Sequence, residues 1–265
     1  EIYTLSLHDA LPICVSNLLA KIMNKTLFAA MLAAYASAAW AAPQKIYFDQ
    51  QGRPTDKPAA IAYVREYTPS GNHAAVQDFY YPSRKKYSDP YRAPLKQIRQ
   101  FVPQLENGTL TLWHFNGKQK MSAPFQNGKP HGEWTNWHNN GNKSAVMPYK
   151  NGQTEGTGVR YYQNGRKESE IEFHNDKAEG KWRQWYPDGS PKSEVLMKND
   201  QPVEMVSWDN QGRITAELNF ANKKRSGFTL EWYDNGAKKS ETVYQDDELI
   251  SRTFWDENGL IADRY

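Results

Sequence analysis

One glycine recurs at nearly fixed spacing through the second part of this chain: Gly117, Gly141, Gly165, Gly189, Gly212, Gly236 and Gly259. The steps between neighbours are 24, 24, 24, 23, 24 and 23 residues, the kind of period that marks a repeat architecture. The residue before each glycine is Asn116, Asn140, Asn164, Asp188, Gln211, Asn235 or Asn258. Asn-Gly and Asp-Gly tolerate the positive φ of two-residue hairpin turns, so each pair predicts a β-hairpin. A second turn closes every unit, at Asn127-Gly128, Asn151-Gly152, Asn175-Asp176, Asn199-Asp200, Asn222-Lys223 and Asp246-Asp247. Another glycine opens the next strand at Gly132, Gly156, Gly180 and Gly227.

The residues between the turns alternate as strands do. An aromatic stands four residues before each turn glycine: Trp113, Trp137, Tyr161, Trp185, Trp208, Trp232 and Trp255. Six residues after come Ala123, Met147, Ile171, Val195, Leu218 and Thr242, and eight residues after come Phe125, Tyr149, Phe173, Met197, Phe220 and Tyr244. Those two positions share a face, because side chains alternate along a strand. Glu170, Glu194, Glu217 and Glu241 fall between them and are predicted to point to water. The expectation is an all-β, elongated, single-layer antiparallel meander of hairpin repeats over residues 106–265. Each unit in such a sheet buries itself only against its neighbours.

The recurring Gly-x-Trp-x-x-Trp-(Tyr/His)-x-Asn-Gly, followed by a Lys-rich start and (Phe/Tyr)-x-Asn-Gly, resembles the MORN repeat. It is most similar to the variant repeats of the YwqK-family antitoxin group, over residues 108–265. That resemblance implies a binding scaffold that contacts protein or lipid, and toxin neutralisation by direct contact. Antitoxins of this group are expected in the cytoplasm, whereas this chain carries an export signal.

Residues 1–22 resemble a translated sequencing adapter and are set apart as an assembly artefact; the only cysteine, Cys14, lies there. From Met23 the chain reads as a signal peptide. Lys25 supplies the positive start, residues 27–36 the apolar core, and Ala39-Trp40-Ala41 a small-x-small cleavage site. Cleavage after Ala41 predicts a periplasmic or secreted protein. The mature part, having no cysteine, can form neither a disulfide framework nor a thiolate metal site.

Residues 42–105 are expected to form a short, irregular cap. It contains strands at 61–67 and 74–81, a degenerate first repeat at Asp78-Phe79-Tyr80-Tyr81-Pro82-Ser83, and a basic connector from Arg84 to Arg99. The cap would cover the open end of the sheet. The connector reads first as a solvated charged face, and second as a docking patch for an anionic lipid or polymer.

Composition agrees with a thin fold. A mean hydropathy of −0.86 with 13% aromatic residues suits one aromatic face and one wet face better than a two-sided aliphatic core. A net charge of +3 does not call for nucleic acid. No phosphate loop, zinc pattern or nucleophile elbow is present. His114 and His138 stand where other units have Tyr162, Tyr186 and Tyr233, which makes them replacements for tyrosine rather than metal ligands. The chain is therefore expected not to be an enzyme and to need no cofactor and no metal.

Regularly spaced tryptophans read as structure. Trp134 and Trp182 do not fit that series: they lie seven residues before their turn glycines, where other units have Leu110, Gly158, Met205, Thr229 and Arg252. Strand alternation sets them opposite Trp137 and Trp185, and the expectation is that they are the more exposed. They are the candidate binding residues, since tryptophan is enriched among interface anchors. The predicted partner is another protein, a toxin or an envelope protein. The alternative is a cell-envelope ligand, either glycan (peptidoglycan) or anionic lipid.

Overall fold

The computed structural model describes residues 42–265. The expected signal peptide and the adapter-like segment lie outside the described residues. The chain from Gln44 to Tyr265 forms one unit containing a four-stranded and a sixteen-stranded antiparallel sheet.

The N-terminal sheet runs β1 (Gln44–Phe48), β2 (Tyr63–Ser70), β3 (His73–Tyr80) and β4 (Tyr91–Pro94), in that order. This segment is more regular than the sequence predicts, and a buried ion pair is the reason. Alternation along β2 would bury Val64 and expose Arg65, yet they are 2% and 0% exposed. Both faces of β2 are therefore covered. Arg65 sits opposite Asp78 in register. Its Nε and Nη2 donate to the two Asp78 oxygens at 2.8 and 3.0 Å. The other guanidinium hydrogens reach the carbonyls of Ile98, Gln100 and Phe101 at 2.8, 2.8 and 2.9 Å. Tyr91 donates its hydroxyl to Asp78 at 2.9 Å, and burial holds that phenol well above its ordinary pKa. Five donors in a rigid fork are thus all satisfied, which a buried charge requires. The pair ties the 98–101 loop, which lacks strand pairing of its own, to the sheet.

The face that carries Arg65 and Asp78 also packs on the first repeat. Ala74, Val76, Tyr87, Tyr91 and Ala93 share one core with Leu105, Leu110, Leu112, Met121, Ala123 and Phe125. Residues 87–89 also run along the outer edge of β5 (Gly108–Trp113). Trp113 donates to the Tyr87 carbonyl at 2.8 Å, Asp89 donates to that of Thr111 at 3.0 Å, and Ser88 bridges Leu112. Those backbone groups, which a bare edge would present to a stray strand, are occupied. At the start of the basic connector Arg84 forks onto Glu66 at 2.7 and 3.0 Å, and Lys86 bonds Asp89 at 2.8 Å.

The large sheet is a succession of hairpins, and its turns are of two kinds. At Asn127-Gly128 both central residues have positive φ, 51° and 74°, as a two-residue type I′ turn requires. Asn116-Gly117 differs from the sequence expectation. His114 and Lys118 are the paired residues, so the loop has three residues and only Gly117 has positive φ. This is the other common hairpin connection, ending in a bulge.

The alternation of 24- and 23-residue steps has a structural cause. Every 24-residue unit contains a strand-opening glycine (Gly132, Gly156, Gly180 or Gly227), and the two 23-residue units lack one. Gly227 has φ 132°, and a side chain there would run into the Glu217 carbonyl. Opposite Gly180 the register slips between Ile171 and Phe173, as at a bulge, whereas Gly227 pairs with Leu218 in unbroken register.

Neighbouring units are fastened at the turns. At every joint between units but one, the residue three before the turn glycine donates to the carbonyl of the aromatic in the next unit. The bonds are His114 to Trp137, His138 to Tyr161, Tyr162 to Trp185, Tyr186 to Trp208 and Tyr233 to Trp255, at 2.7–2.9 Å. The acceptor is a carbonyl, so each histidine carries its proton on Nε2. Tyr80 of β3 makes the same bond to Trp113 at 2.9 Å. The turn asparagines add a parallel set: Asn116, Asn140, Asn164 and Asn235 each donate to a carbonyl of the following turn at 2.6–2.9 Å.

Two stability changes follow. Arg65→Leu leaves Asp78 buried and unpaired and should cost about 3–5 kcal/mol, read as a fall in the urea midpoint. His138→Phe removes one fastening and should cost about 1 kcal/mol, while His138→Tyr keeps the donor and should stay within about 0.5 kcal/mol. Equal losses from both His138 substitutions would show that the bond contributes nothing.

Candidate functional site

Strand pairing lines up one residue from each long strand into a row across the sheet. Leu110 faces Ala123, and Ala123 is in register with Trp134. Trp134 faces Met147, which is in register with Gly158. Gly158 faces Ile171, Ile171 faces Trp182, Trp182 faces Val195, Val195 faces Met205 and Met205 faces Leu218. The position seven before the turn glycine therefore meets the position six after it, and directly paired residues lie on one face.

The row changes character along its length. Its first members, Leu110 and Ala123, are 1% and 0% exposed beneath the N-terminal sheet. Trp134 lies at the margin of that core, with its ring centroid 6.0 Å from Phe125 and 5.8 Å from Tyr149. Beyond it a groove of about 640 Å³ opens, with Trp134 and Trp182 both in its lining. Four strand spacings of roughly 4.8 Å set the two rings about 19 Å apart. Gly158 lies between them, and its missing side chain leaves room that Met147 and Phe173 lean into: a Cβ there would meet the Met147 sulfur at 2.9 Å and a Phe173 ring carbon at 3.1 Å. The floor is thus a methionine, an isoleucine and a phenylalanine between two indoles. A second, polar row runs beside it, with Asn136, Arg160, Ser169 and Gln184 in the groove lining, and Gln184 accepts a hydrogen bond from Ser193 at 3.0 Å.

The opposite face has a different chemistry. Glu170 is adjacent to Ile171 and so points the other way. Arg183 bridges Glu170 and Glu194, each at 2.9 Å, while Lys167 and Lys181 add bonds of 2.7 Å to the same carboxylates. The hydrogen bonds from Lys167 and then Arg183 hold the Glu170 carboxyl below its usual pKa, and those from Lys181 and then Arg183 do so for Glu194. Such partly exposed ladders set charge rather than stability. Three regular tryptophans lie under a cation of the preceding unit: Lys167 over Trp185 at 5.7 Å, Arg213 over Trp232 at 5.5 Å and Lys238 over Trp255 at 5.0 Å.

The structure brings the two candidate tryptophans into one groove, a juxtaposition the sequence did not offer. Trp134 and Trp182 are half-buried, as are Trp137 and Trp185. Alternation places side chains but does not predict how the neighbouring Phe125 and Tyr149 lean over Trp134. Sequence reasoning missed the polar row, although Asn136, Arg160 and Gln184 each stand five residues before a turn glycine, and that shared spacing is a usable signal.

Residues 130–151 and 178–199 match the family described as MORN repeat variant, so these two stretches are similar to MORN-variant repeats. Trp134 and Trp182 lie inside the two matched stretches. No curated protein matches the chain. MORN repeats are commonly protein- or lipid-binding modules and generally non-enzymatic. Among the described residues, no group of three or more His, Cys, Asp or Glu is arranged to hold a metal ion.

Proposed function

We propose that this protein is a non-enzymatic interaction module that takes a protein partner along the Trp134–Trp182 groove. One observation carries the reading. The row that the N-terminal sheet covers at Leu110 and Ala123 continues, with the same apolar chemistry, past the edge of that cover. Among the described residues nothing packs on it from Met147 to Trp182. The N-terminal sheet thus supplies the pattern for a partner: apolar and aromatic side chains against the row, polar groups against Asn136, Arg160 and Gln184. Methionine in the floor suits a surface that adapts to its ligand, and indoles at both ends suit anchoring.

The resemblance to YwqK-type repeats supports a finer reading, an antitoxin or immunity protein that masks a toxin. The basic and apolar pattern of residues 23–41 supports export, with the partner in the periplasm. Residues 42–105 would then be a cap that closes one end of the repeat sheet.

Affinity capture from crosslinked cells expressing the tagged full chain tests these readings together. Trp134 is unsuitable for truncation because it packs on the core; Trp182→Ala with Arg160→Glu alters the groove alone. One dominant protein should be captured from the periplasmic fraction, lost in the double variant, with the captured chain beginning at Ala42. A toxin relieved by co-expression would give the finer reading. Undiminished capture by the double variant would remove the groove from the account. Retention of the chain on peptidoglycan or anionic vesicles, with no protein captured, would replace it with the envelope-ligand reading.

A further inference from the structure

The second turns of the units, at Asn127-Gly128 and its equivalents, show a regularity with one exception. A two-residue turn leaves the N–H groups of both central residues pointing outward, and the preceding unit accepts them. Asn175 donates to a Glu155 oxygen and Asn199 to a Glu179 oxygen, each at 2.9 Å. Asn127 donates to Asn107 and Asp246 to Ser226, each at 3.0 Å. The second N–H reaches a backbone carbonyl: Asp176 to Thr154 and Asp200 to Ala178 at 3.1 Å, Asp247 to Arg225 at 2.9 Å. Among the second turns of the described repeat units, Asn222-Lys223 is the one with no partner for either N–H.

The sequence explains the gap. The acceptor stands four residues after the preceding turn begins, where Glu155, Glu179 and Ser226 lie in other units; here it is Val203. The aspartate that accepts a backbone N–H in return is replaced by Lys223, and the residue that would donate is Pro202, which has no N–H. This is also one of the two units that lack the strand-opening glycine. The missing rung leaves a cleft of about 540 Å³, lined by Pro202, Val203 and Phe220, with Lys198 and Lys223 at its margin.

We propose that this cleft is a carboxylate-binding site, in which an external carboxylate takes the place that Glu155 and Glu179 occupy in the neighbouring units. Successive backbone N–H groups in a turn form an anion-binding concavity, and the two lysines add charge of the matching sign. Among the described residues neither lysine is held in an ion pair. Phe220, Pro202 and Val203 give an apolar wall, so the ligand is a carboxylate borne on an apolar or ring-shaped group. A peptide C-terminus and a sugar acid share that chemistry. No residue lines both this cleft and the Trp134–Trp182 groove, and the site does not depend on that groove.

The test follows the Asn222 and Lys223 amides of the full chain by nitrogen–proton correlation spectra. N-acetyl-L-phenylalaninate and glucuronate are the two probes, and N-acetyl-L-phenylalaninamide is the neutral control. At least one carboxylate should shift both amides saturably while the amide control does not, and the tighter of the two identifies the source. Val203→Glu supplies an internal carboxylate and should weaken that binding by about tenfold or more, the loss of a charge-assisted hydrogen bond. Lys223→Gln should weaken it with the turn intact, and unchanged amides elsewhere report an undisturbed sheet. No saturable shift with either carboxylate, or equal shifts with the amide control, would overturn the proposal.

Discussion

A sheet one layer thick has no interior to close around, so everything depends on how each hairpin is fastened to the next. In this protein the backbone ladders between units are reinforced by a side-chain donor that reaches a backbone carbonyl 22 or 23 residues away, repeated from His114 to Tyr233. Each bond adds only about 1 kcal/mol, yet the bonds recur at every joint but one, where Asp209 stands in place of tyrosine and Arg213 reaches the Tyr233 carbonyl instead. Nearest-neighbour coupling of this kind makes a stiff array from weak parts.

The N-terminal sheet shows what that face is suited to. Its attachment rests on two features that reinforce one another: the Arg65–Asp78 pair that orders the 98–101 loop, and the aromatic core shared with Leu110 and Phe125. The first repeat is thereby finished as a two-layer structure, while the units after it keep the same apolar row without the second layer. The partner-binding groove of the proposed function is the continuation of an interface the chain already makes with itself.

Much of this was legible in the residues. The Asn-Gly series marks the hairpins, and the positions six and eight after the turn glycine do lie on one face. The equivalence of His114 and His138 with the tyrosines anticipated a shared role, and Tyr80 in the irregular-looking Asp78–Ser83 segment makes the same bond. What escaped was pairwise. A lone Arg65 in a strand reads as solvent-facing, because nothing in its own neighbourhood reveals that Asp78 and three loop carbonyls converge on it. The turns at Asn116-Gly117 and Asn127-Gly128 look alike in sequence but differ by one residue in loop length, which only the pairing of His114 with Lys118 settles. Likewise Trp134 and Trp182 are 48 residues apart in the chain, and only the register of the intervening strands sets them in one groove.

Position-specific photo-crosslinking in living cells asks whether the face carrying this row is the working surface. A photoreactive residue would be placed at Arg160, in the groove, and separately at Glu172, which is exposed and adjacent to groove-facing Ile171 and Phe173 but on the other side of the sheet. The account predicts a defined crosslinked protein from the Arg160 position and none from Glu172. Crosslinking from Glu172 alone, or the same protein captured equally from both positions, would contradict it.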